Sequence, residues 1–216
     1  MSHIYKVQNT SFSKRIYTYA TFKADTQRIF DHFDGFRKAA RDGRVSKKFS
    51  EKIMLVVTRV NGCRYCNYGH SRAALAAGVS EAELQDLLAL EFQAFPIYEV
   101  TALNFAQHYA EAKGQPDPEA WQRVVTYYGE ETAHDILAYI GMITYGNLLG
   151  NTFDALLSRM KGRPAVGSSL GNELSVLLGV VWMPAVRMIL QRLSRRSGEA
   201  TISRESQSIE IKGKIQ

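Results

Sequence analysis

The sequence predicts a single-domain, all-α helical bundle. Apolar residues recur mainly at helical spacing, and the sustained apolar–polar alternation of half-buried strands is hard to find beyond the first twenty residues. Helix start and stop signals separate the helical segments along the chain. A chain of 216 residues with 45% apolar side chains is long enough to bury a sizeable core in one domain.

The first predicted helices precede the two cysteines. Phenylalanines at helical spacing predict a helix over 24–40, and Gly43 ends it. Ser46 is the predicted N-cap of a helix that reaches about Val60, where an Asn-Gly pair at 61–62 stops it. This second helix carries a continuous apolar run, which favours a buried position in the core.

The predicted helices continue to the C-terminal part of the chain. One begins near Cys63 and runs through an alanine-rich stretch to Gly78, and Ser80 with Glu83 forms a capping box for the next. Further signals predict helices over 96–113, 118–129, 131–161 and 170–196, the last with a kink at Pro184.

The helical pattern divides the chain into four predicted parts. Residues 1–23 form an N-terminal extension, 24–165 the helical domain, 166–196 a C-terminal apolar helix, and 197–216 a disordered basic tail. The net charge is +6; from Arg187 onward, seven basic and three acidic residues leave +4, so most of the excess lies at this end. A solvated tail is the simplest interpretation of this charge.

Composition and motifs exclude several classes of function. The N-terminal stretch lacks the apolar core of a signal peptide, and no apolar stretch reaches the length that spans a bilayer, so we expect a cytoplasmic protein without membrane association. The basic tail lacks interleaved aromatic residues, so we expect no nucleic-acid partner. No phosphate-binding glycine motif is present, and the sequence indicates no cofactor.

The only two cysteines, Cys63 and Cys66, are the strongest indication of chemistry. A pair so close in sequence closes too small a loop to stabilise a fold, so it indicates redox chemistry or half of a metal site. If a helix begins at Cys63, Cys66 and His70 lie within about 60° of it on the helical wheel. Amides at a helix N-terminus favour a thiolate, which by itself favours Cys63 as the nucleophile, and His70 suits proton transfer.

Two groups of residues upstream and downstream of the cysteines complete the predicted site. Glu51 lies at the edge of the apolar run, where burial is expected to raise its pKa and make it a proton carrier. In the long predicted helix, glycines indicate close helix contacts. Polar residues on one face of that helix, Asn147, Asn151 and Asp154, are equally compatible with the mouth of a site and with hydrogen bonds between helices.

The string E-x11-C-x2-C-x3-H, from Glu51 to His70, resembles the signature of the carboxymuconolactone decarboxylase and alkylhydroperoxidase D-like superfamily. The resemblance extends over about 33–89, and it implies an all-α bundle of the alkylhydroperoxidase D-like type. It also implies a homo-oligomer that reduces a peroxide and is reset by an external thiol donor, such as a lipoyl or thioredoxin-like protein.

The resemblance also implies roles for individual residues. Cys66 matches the thiol that attacks the peroxide, Cys63 matches the resolving thiol, and His70 and Glu51 match members of a proton relay. The chain departs from the pattern at Tyr65, where peroxidases of the family can carry a histidine. The decarboxylase branch generally lacks the cysteine pair.

Three other functions remain open for the same residues. A redox sensor or interaction module would keep the dithiol but lack turnover, with the basic tail as its binding arm. A zinc-binding structural protein would use Cys63, Cys66 and His70 with Glu51 or water, although three ligands on one helix face cannot easily surround a metal tetrahedrally. A carboxymuconolactone decarboxylase-like enzyme is the third.

Overall fold

The computed structural model describes residues 12–183 and residue 185, and within these residues it contains helices and no strand. The all-α prediction is confirmed. The described residues up to Val176 belong to one compact unit and those from Leu177 onward to a second. The helices of the first unit are α1 (Tyr19–Asp31), α2 (Phe33–Asp42), α3 (Lys47–Asn61), α4 (Arg64–Ala76), α5 (Glu81–Ala89), α6 (Ile97–Glu111), α7 (Pro118–Tyr128) and α8 (Glu130–Met160), followed by helical residues 170–176.

The helix α3 forms the centre of the first unit. It packs against α4, α5, α6 and α8, and eleven of its fifteen residues are buried. Ile53, Leu55 and Val56 have no exposed surface. Because the side chains of α3 are enclosed on almost every side, polar groups on it depend on partners from the surrounding helices.

Local capping signals set the ends of α3 and α5 as predicted. The Ser46 hydroxyl accepts a hydrogen bond from the Phe49 amide, and Gly62 ends α3 in the left-handed region at φ 70°. Ser80 and Glu83 form the reciprocal capping box at the start of α5. The single helix predicted over 24–40 is instead two helices, because the backbone departs from helical geometry at His32.

The segment before α1 lies against α8. Tyr17 is buried, its amide donates to the Thr152 hydroxyl at 3.1 Å, and its ring contacts Phe22 and Tyr145. The helix α1 begins at Tyr19, before the predicted domain boundary at residue 24. The four-part division of the chain stays a prediction.

In the second compact unit, residues 177–183 and 185 are helical, and Leu178, Val181 and Trp182 are exposed. Among the described residues, no helix is both long enough and apolar enough to cross a membrane. The predicted kink at Pro184, the helix beyond it to 196 and the disordered tail over 197–216 lie outside the described residues.

Candidate active site

The turn between α3 and α4 places the two cysteines at a helix N-terminus. Gly62 adopts a left-handed conformation that a side chain would strain, and the chain then enters α4. Cys63 is the N-cap of α4, and its sulfur accepts a hydrogen bond from the Cys66 amide at 3.3 Å. Cys63 is 1% exposed, Cys66 is partly buried, and both thiols are free. The predicted helix start is confirmed, with Cys63 in the capping position.

The two thiols have opposite acidities. A hydrogen bond from the Cys66 thiol, with others from the backbone amides of Cys66 and Tyr65, lowers the pKa of Cys63 to about 6 despite its burial. The same contact, together with burial, raises the pKa of Cys66. A negative charge on the pair therefore resides on Cys63, with Cys66 as the proton-bearing partner.

The alkylation of Cys63 by iodoacetamide is expected to increase with pH around a midpoint near 6. Replacing Cys66 with alanine removes the thiol donor and should move this midpoint upward, because the thiolate loses its strongest hydrogen bond. Mass spectrometry of the separate cysteine peptides measures the rates. A wild-type midpoint near that of an ordinary thiol, about 8.5, would contradict the asymmetry of the pair.

Glu51 and His70 form the second part of the site. His70 Nδ1 and Glu51 Oε2 are 2.7 Å apart, joining α4 to α3, and Lys47 pairs with the other carboxylate oxygen. Glu51 is 1% exposed. Burial alone would raise its pKa, but the hydrogen bonds from His70 and Lys47 outweigh burial and hold the pKa below its usual value. The sequence-based expectation of a raised pKa is therefore wrong, and the carboxylate stays charged at neutral pH.

The four predicted site residues form two hydrogen-bonded pairs. Cys63 pairs with Cys66, and Glu51 pairs with His70. Within the described residues, no hydrogen bond joins the imidazole of His70 to either sulfur. Each pair includes a residue of α4, whose N-cap and first two turns hold both cysteines and the histidine, and Glu51 alone lies on α3.

The helix α8 borders the site, in a way that the sequence indicated only in part. An ideal Cβ at Gly150 would lie 2.6 Å from Cys63 Sγ, so α8 approaches the dithiol at this glycine. Gly141 and Gly146 of the same helix have open space around them, so only one of the three glycines is a close contact. The ring of Tyr65 packs against Phe153, with 5.8 Å between centroids.

The polar residues of α8 differ in role. Asn147 accepts a hydrogen bond from the Thr58 hydroxyl at 3.1 Å, and the Asn151 side-chain amide donates to the carbonyl oxygens of Asn61 and Arg15. Asn147 therefore joins α8 to α3, and Asn151 joins α8 to the end of α3 and to the segment before α1. Asp154 instead pairs with two cations beside the site, Arg64 at 2.5 Å and Lys14 at 2.7 Å.

A pocket of about 340 Å³ opens at the start of α4. The residues that line it include Arg59, Gly62, Cys63, Arg64, Asn67 and Leu88. It is therefore bordered by the end of α3, the first turn of α4 and the end of α5, on the Cys63 side of the dithiol.

Comparison with known protein families finds a match that includes this site. The model of the carboxymuconolactone decarboxylase family matches residues 24–111, which contain all of α2 to α6 and the four predicted site residues. Residues 24–111 are thus similar to this family. No curated protein and no solved structure matches the chain. The carboxymuconolactone decarboxylase match ends before α8, so Gly150 and Asp154 lie outside it.

The residues that the structure describes contain no preformed cluster of metal ligands. No group of three or more histidine, cysteine, aspartate or glutamate side chains there is placed to hold one ion. His108, a remote histidine, accepts a hydrogen bond from the Asp117 amide at 3.1 Å through Nε2, and His134 contacts Trp121 edge to face. Both are thus engaged in local contacts away from the cysteines.

Proposed function

We propose that the protein is a thiol-dependent peroxidase that cycles between a Cys63–Cys66 dithiol and a disulfide. The observation that carries the proposal is the Cys63 sulfur at the N-terminus of α4, hydrogen-bonded to Cys66 and with a pKa of about 6. A thiolate is the nucleophilic form of cysteine, and a second thiol next to it can complete a two-electron oxidation. The match of residues 24–111 to the carboxymuconolactone decarboxylase family supports this class of fold.

The proposed cycle consumes one hydroperoxide and two thiols. One thiolate attacks the terminal peroxide oxygen, so that an S–O bond forms, the O–O bond breaks, and an alkoxide leaves and takes up a proton. The other cysteine attacks the sulfenic sulfur, the S–S bond forms and water leaves. An external dithiol donor, such as a lipoyl or thioredoxin-like protein, then reduces the disulfide by thiol exchange. The superfamily resemblance assigns the attack to Cys66 and the resolution to Cys63.

The Glu51–His70 pair is proposed to move the protons of this cycle. A charged Glu51 carboxylate favours the tautomer in which Nδ1 carries the proton, because Nδ1 lies 2.7 Å from Oε2. This leaves Nε2 free to accept or supply a proton at the reacting atoms. Lys47 on the other oxygen of Glu51 keeps the carboxylate charged. The proposed role of Glu51 is therefore to orient the imidazole of His70 and to stabilise the imidazolium form.

Reduced protein treated with one equivalent of cumene hydroperoxide is expected to lose both free thiols. Cys63→Ser and Cys66→Ser should each be unable to form the internal disulfide, and His70→Ala should slow thiol loss by about 10²-fold or more, as for loss of a general acid–base group. Thiol titration and mass spectrometry measure these changes. Thiols that survive excess peroxide in the wild-type protein would rule out the peroxidase.

Further outcomes of the same experiment separate the alternatives. Disulfide formation without repeated turnover, when a dithiol donor is present, would favour a redox sensor, and a partner that is lost on removing residues after 197 would identify the tail as its binding arm. Stoichiometric zinc in the purified protein would favour a metal site. Unreactive thiols with decarboxylation of a carboxymuconolactone would favour the decarboxylase. We also propose that the protein forms a homo-oligomer, and analytical ultracentrifugation would measure the number of subunits.

A further inference from the structure

The two cysteines differ in how far a partner molecule can reach them. Cys63 is 1% exposed, whereas Cys66 is partly exposed. Gly69 is exposed one turn after Cys66, about 60° from it on the helical wheel, and an ideal Cβ there would meet no atom within 4 Å. Because helical side chains lean back over the preceding turn, a larger residue at this position would shield Cys66. A reductant therefore reaches the dithiol through Cys66, from the exposed side of α4.

Two arginine–tyrosine pairs lie beside Gly69 on α4. Arg64, whose side chain is 54% exposed, donates to the Tyr65 hydroxyl at 2.7 Å, and its guanidinium carbon lies 4.8 Å from the centre of that ring. Arg72 donates to the Tyr68 hydroxyl at 3.0 Å and lies 5.7 Å from the centre of that ring. All four side chains are exposed, and arginine and tyrosine are the residue types that contribute most to binding in protein interfaces. We call the α4 face the surface formed by Arg64, Tyr65, Tyr68, Gly69 and Arg72.

The charge of the α4 face is positive. The helix carries Arg64 and Arg72 and contains no acidic residue. Asp154 of α8 pairs with Arg64 at 2.5 Å, but it also pairs with Lys14 at 2.7 Å, so one negative charge is shared between two cations. Arg72 hydrogen-bonds to a neutral hydroxyl, and this contact leaves its charge unbalanced. An acidic surface is therefore the complementary partner for the α4 face, and a basic one is repelled.

We propose that the α4 face docks an acidic electron-donor protein, which carries a dithiol and reduces the Cys63–Cys66 disulfide at Cys66. The inference rests on the proposed peroxidase activity and adds to it the docking surface and the charge of the donor. A peroxide is small and needs no such surface. A donor protein has to hold its own sulfur beside Cys66 through two exchange steps, and a rigid, charged surface next to Cys66 suits this task.

The reduction transfers two electrons from the donor dithiol to the disulfide. One donor thiolate attacks the Cys66 sulfur, so that a mixed disulfide forms, the Cys63–Cys66 bond breaks and Cys63 leaves as a thiolate. The second donor thiolate attacks the donor sulfur of the mixed disulfide and releases Cys66. The two protons of the donor dithiol end on Cys63 and Cys66, and the donor is left as a disulfide.

The test compares two synthetic peptides that each carry a dihydrolipoyl-lysine, flanked by glutamates in one peptide and by glutamines in the other. The disulfide is formed in advance with diamide, excess diamide is removed, and thiol titration follows the reduction. The glutamate peptide should react about tenfold faster at low salt and should lose this advantage as salt screens the exposed charges. Equal rates for the two peptides with the wild-type protein would overturn the inference.

Substitutions on the α4 face test where the preference arises. Arg64→Gln and Arg72→Gln should each lower the glutamate-to-glutamine rate ratio by about two- to fivefold, as expected for the loss of one exposed charge contact. Arg72→Lys should retain most of the ratio, because it keeps the charge. Arg123→Gln is the matched control, because Arg123 is exposed on α7, which does not pack against α4. A ratio that both glutamine variants leave unchanged would overturn the inference.

The basic C-terminal part of the sequence is the competing location. If the ratio fell in the double variant Arg195→Gln and Arg196→Gln and not in the α4 variants, the donor would dock at the C-terminal part, and the α4 face would be excluded. A glutamate-flanked peptide with a single cysteine identifies the attacked sulfur. Rapid alkylation after mixing with oxidised protein should trap the mixed disulfide on Cys66, and mass spectrometry would detect it. A mixed disulfide on Cys63 would overturn the assigned approach.

The proposed peroxidase activity can fail separately from this inference. If cumene hydroperoxide leaves the thiols intact, the peroxidase is wrong, whatever the result with the peptides. If the disulfide formed with diamide still shows the charge preference, and both α4 variants lower it, the α4 face is the docking site of a disulfide reductant.

Discussion

Replacing Lys52 with methionine is expected to lower the free energy of unfolding by about 3–5 kcal/mol, the usual cost of breaking a buried ion pair from one side. Lys52 is 1% exposed in the middle of α3, and its Nζ lies 2.7 Å from Glu99 of α6 and 2.6 Å from Glu83 of α5. Its ammonium also lies 4.9 Å from the centre of the Phe95 ring. Methionine fills a similar volume, so the loss comes from the charge. Glu99, which is 4% exposed, would keep a buried carboxylate with no cation.

Lys48→Met is the matched control for this prediction. Lys48 pairs with the same Glu83 at 3.2 Å, but its side chain is 39% exposed, so its loss should cost no more than about 1 kcal/mol. Urea unfolding followed by circular dichroism measures both variants. Adding Glu99→Gln to Lys52→Met should restore part of the lost free energy of unfolding, because the unpaired carboxylate charge is removed. Equal stabilities of the two lysine variants would show that the burial of Lys52 has no energetic consequence.

Lys52 also shows where sequence-based prediction of the fold stops. Helix ends at Ser46, Gly62 and Ser80 were predictable, because each depends on residues within a few positions along the chain. The partners of Lys52 lie 31 and 47 residues away, so no local pattern identifies them. The break at His32 is a further limit: the phenylalanine spacing continues across it, and the neighbouring residues carry no strong stop signal.

The candidate site was likewise only partly predictable from the sequence. The spacing of Cys63, Cys66 and His70 is local to one helix, so the sequence placed all three on α4 and predicted Cys63 at its start. The pKa of Glu51 depends on two hydrogen bonds, one from Lys47 on its own helix and one from His70 on α4. Burial alone predicted that this pKa would be raised, whereas the two hydrogen bonds together lower it. Gly150 was one of three equivalent glycines in sequence, and only the packing of α8 against α4 distinguishes it.

Replacing Gly150 with alanine is expected to disturb the dithiol directly. The new Cβ would lie 2.6 Å from Cys63 Sγ and 3.7 Å from Cys66 Sγ, and the first distance is shorter than atoms tolerate. Cys63 is buried at the start of α4, so either its side chain or the helix must move away from α8. Overpacking of this kind costs about 1–3 kcal/mol, partly offset by about 1 kcal/mol from the better helix propensity of alanine.

The chemical consequence of this substitution separates a site effect from a general loss of stability. Displacing Cys63 weakens its hydrogen bonds from Cys66, so the alkylation midpoint of Cys63 in Gly150→Ala should lie above the midpoint of the wild-type protein, which we expect near 6. Gly146→Ala, one turn earlier on α8 and with open space around it, should leave the midpoint unchanged and should not destabilise the protein. On a Cys63→Ala background the cost of Gly150→Ala should shrink, because the sulfur in conflict is gone. If Gly150→Ala lowered the free energy of unfolding equally on both backgrounds, the strain would not arise from the contact with the Cys63 sulfur. The close approach of α8 would then have no part in holding the Cys63 thiolate.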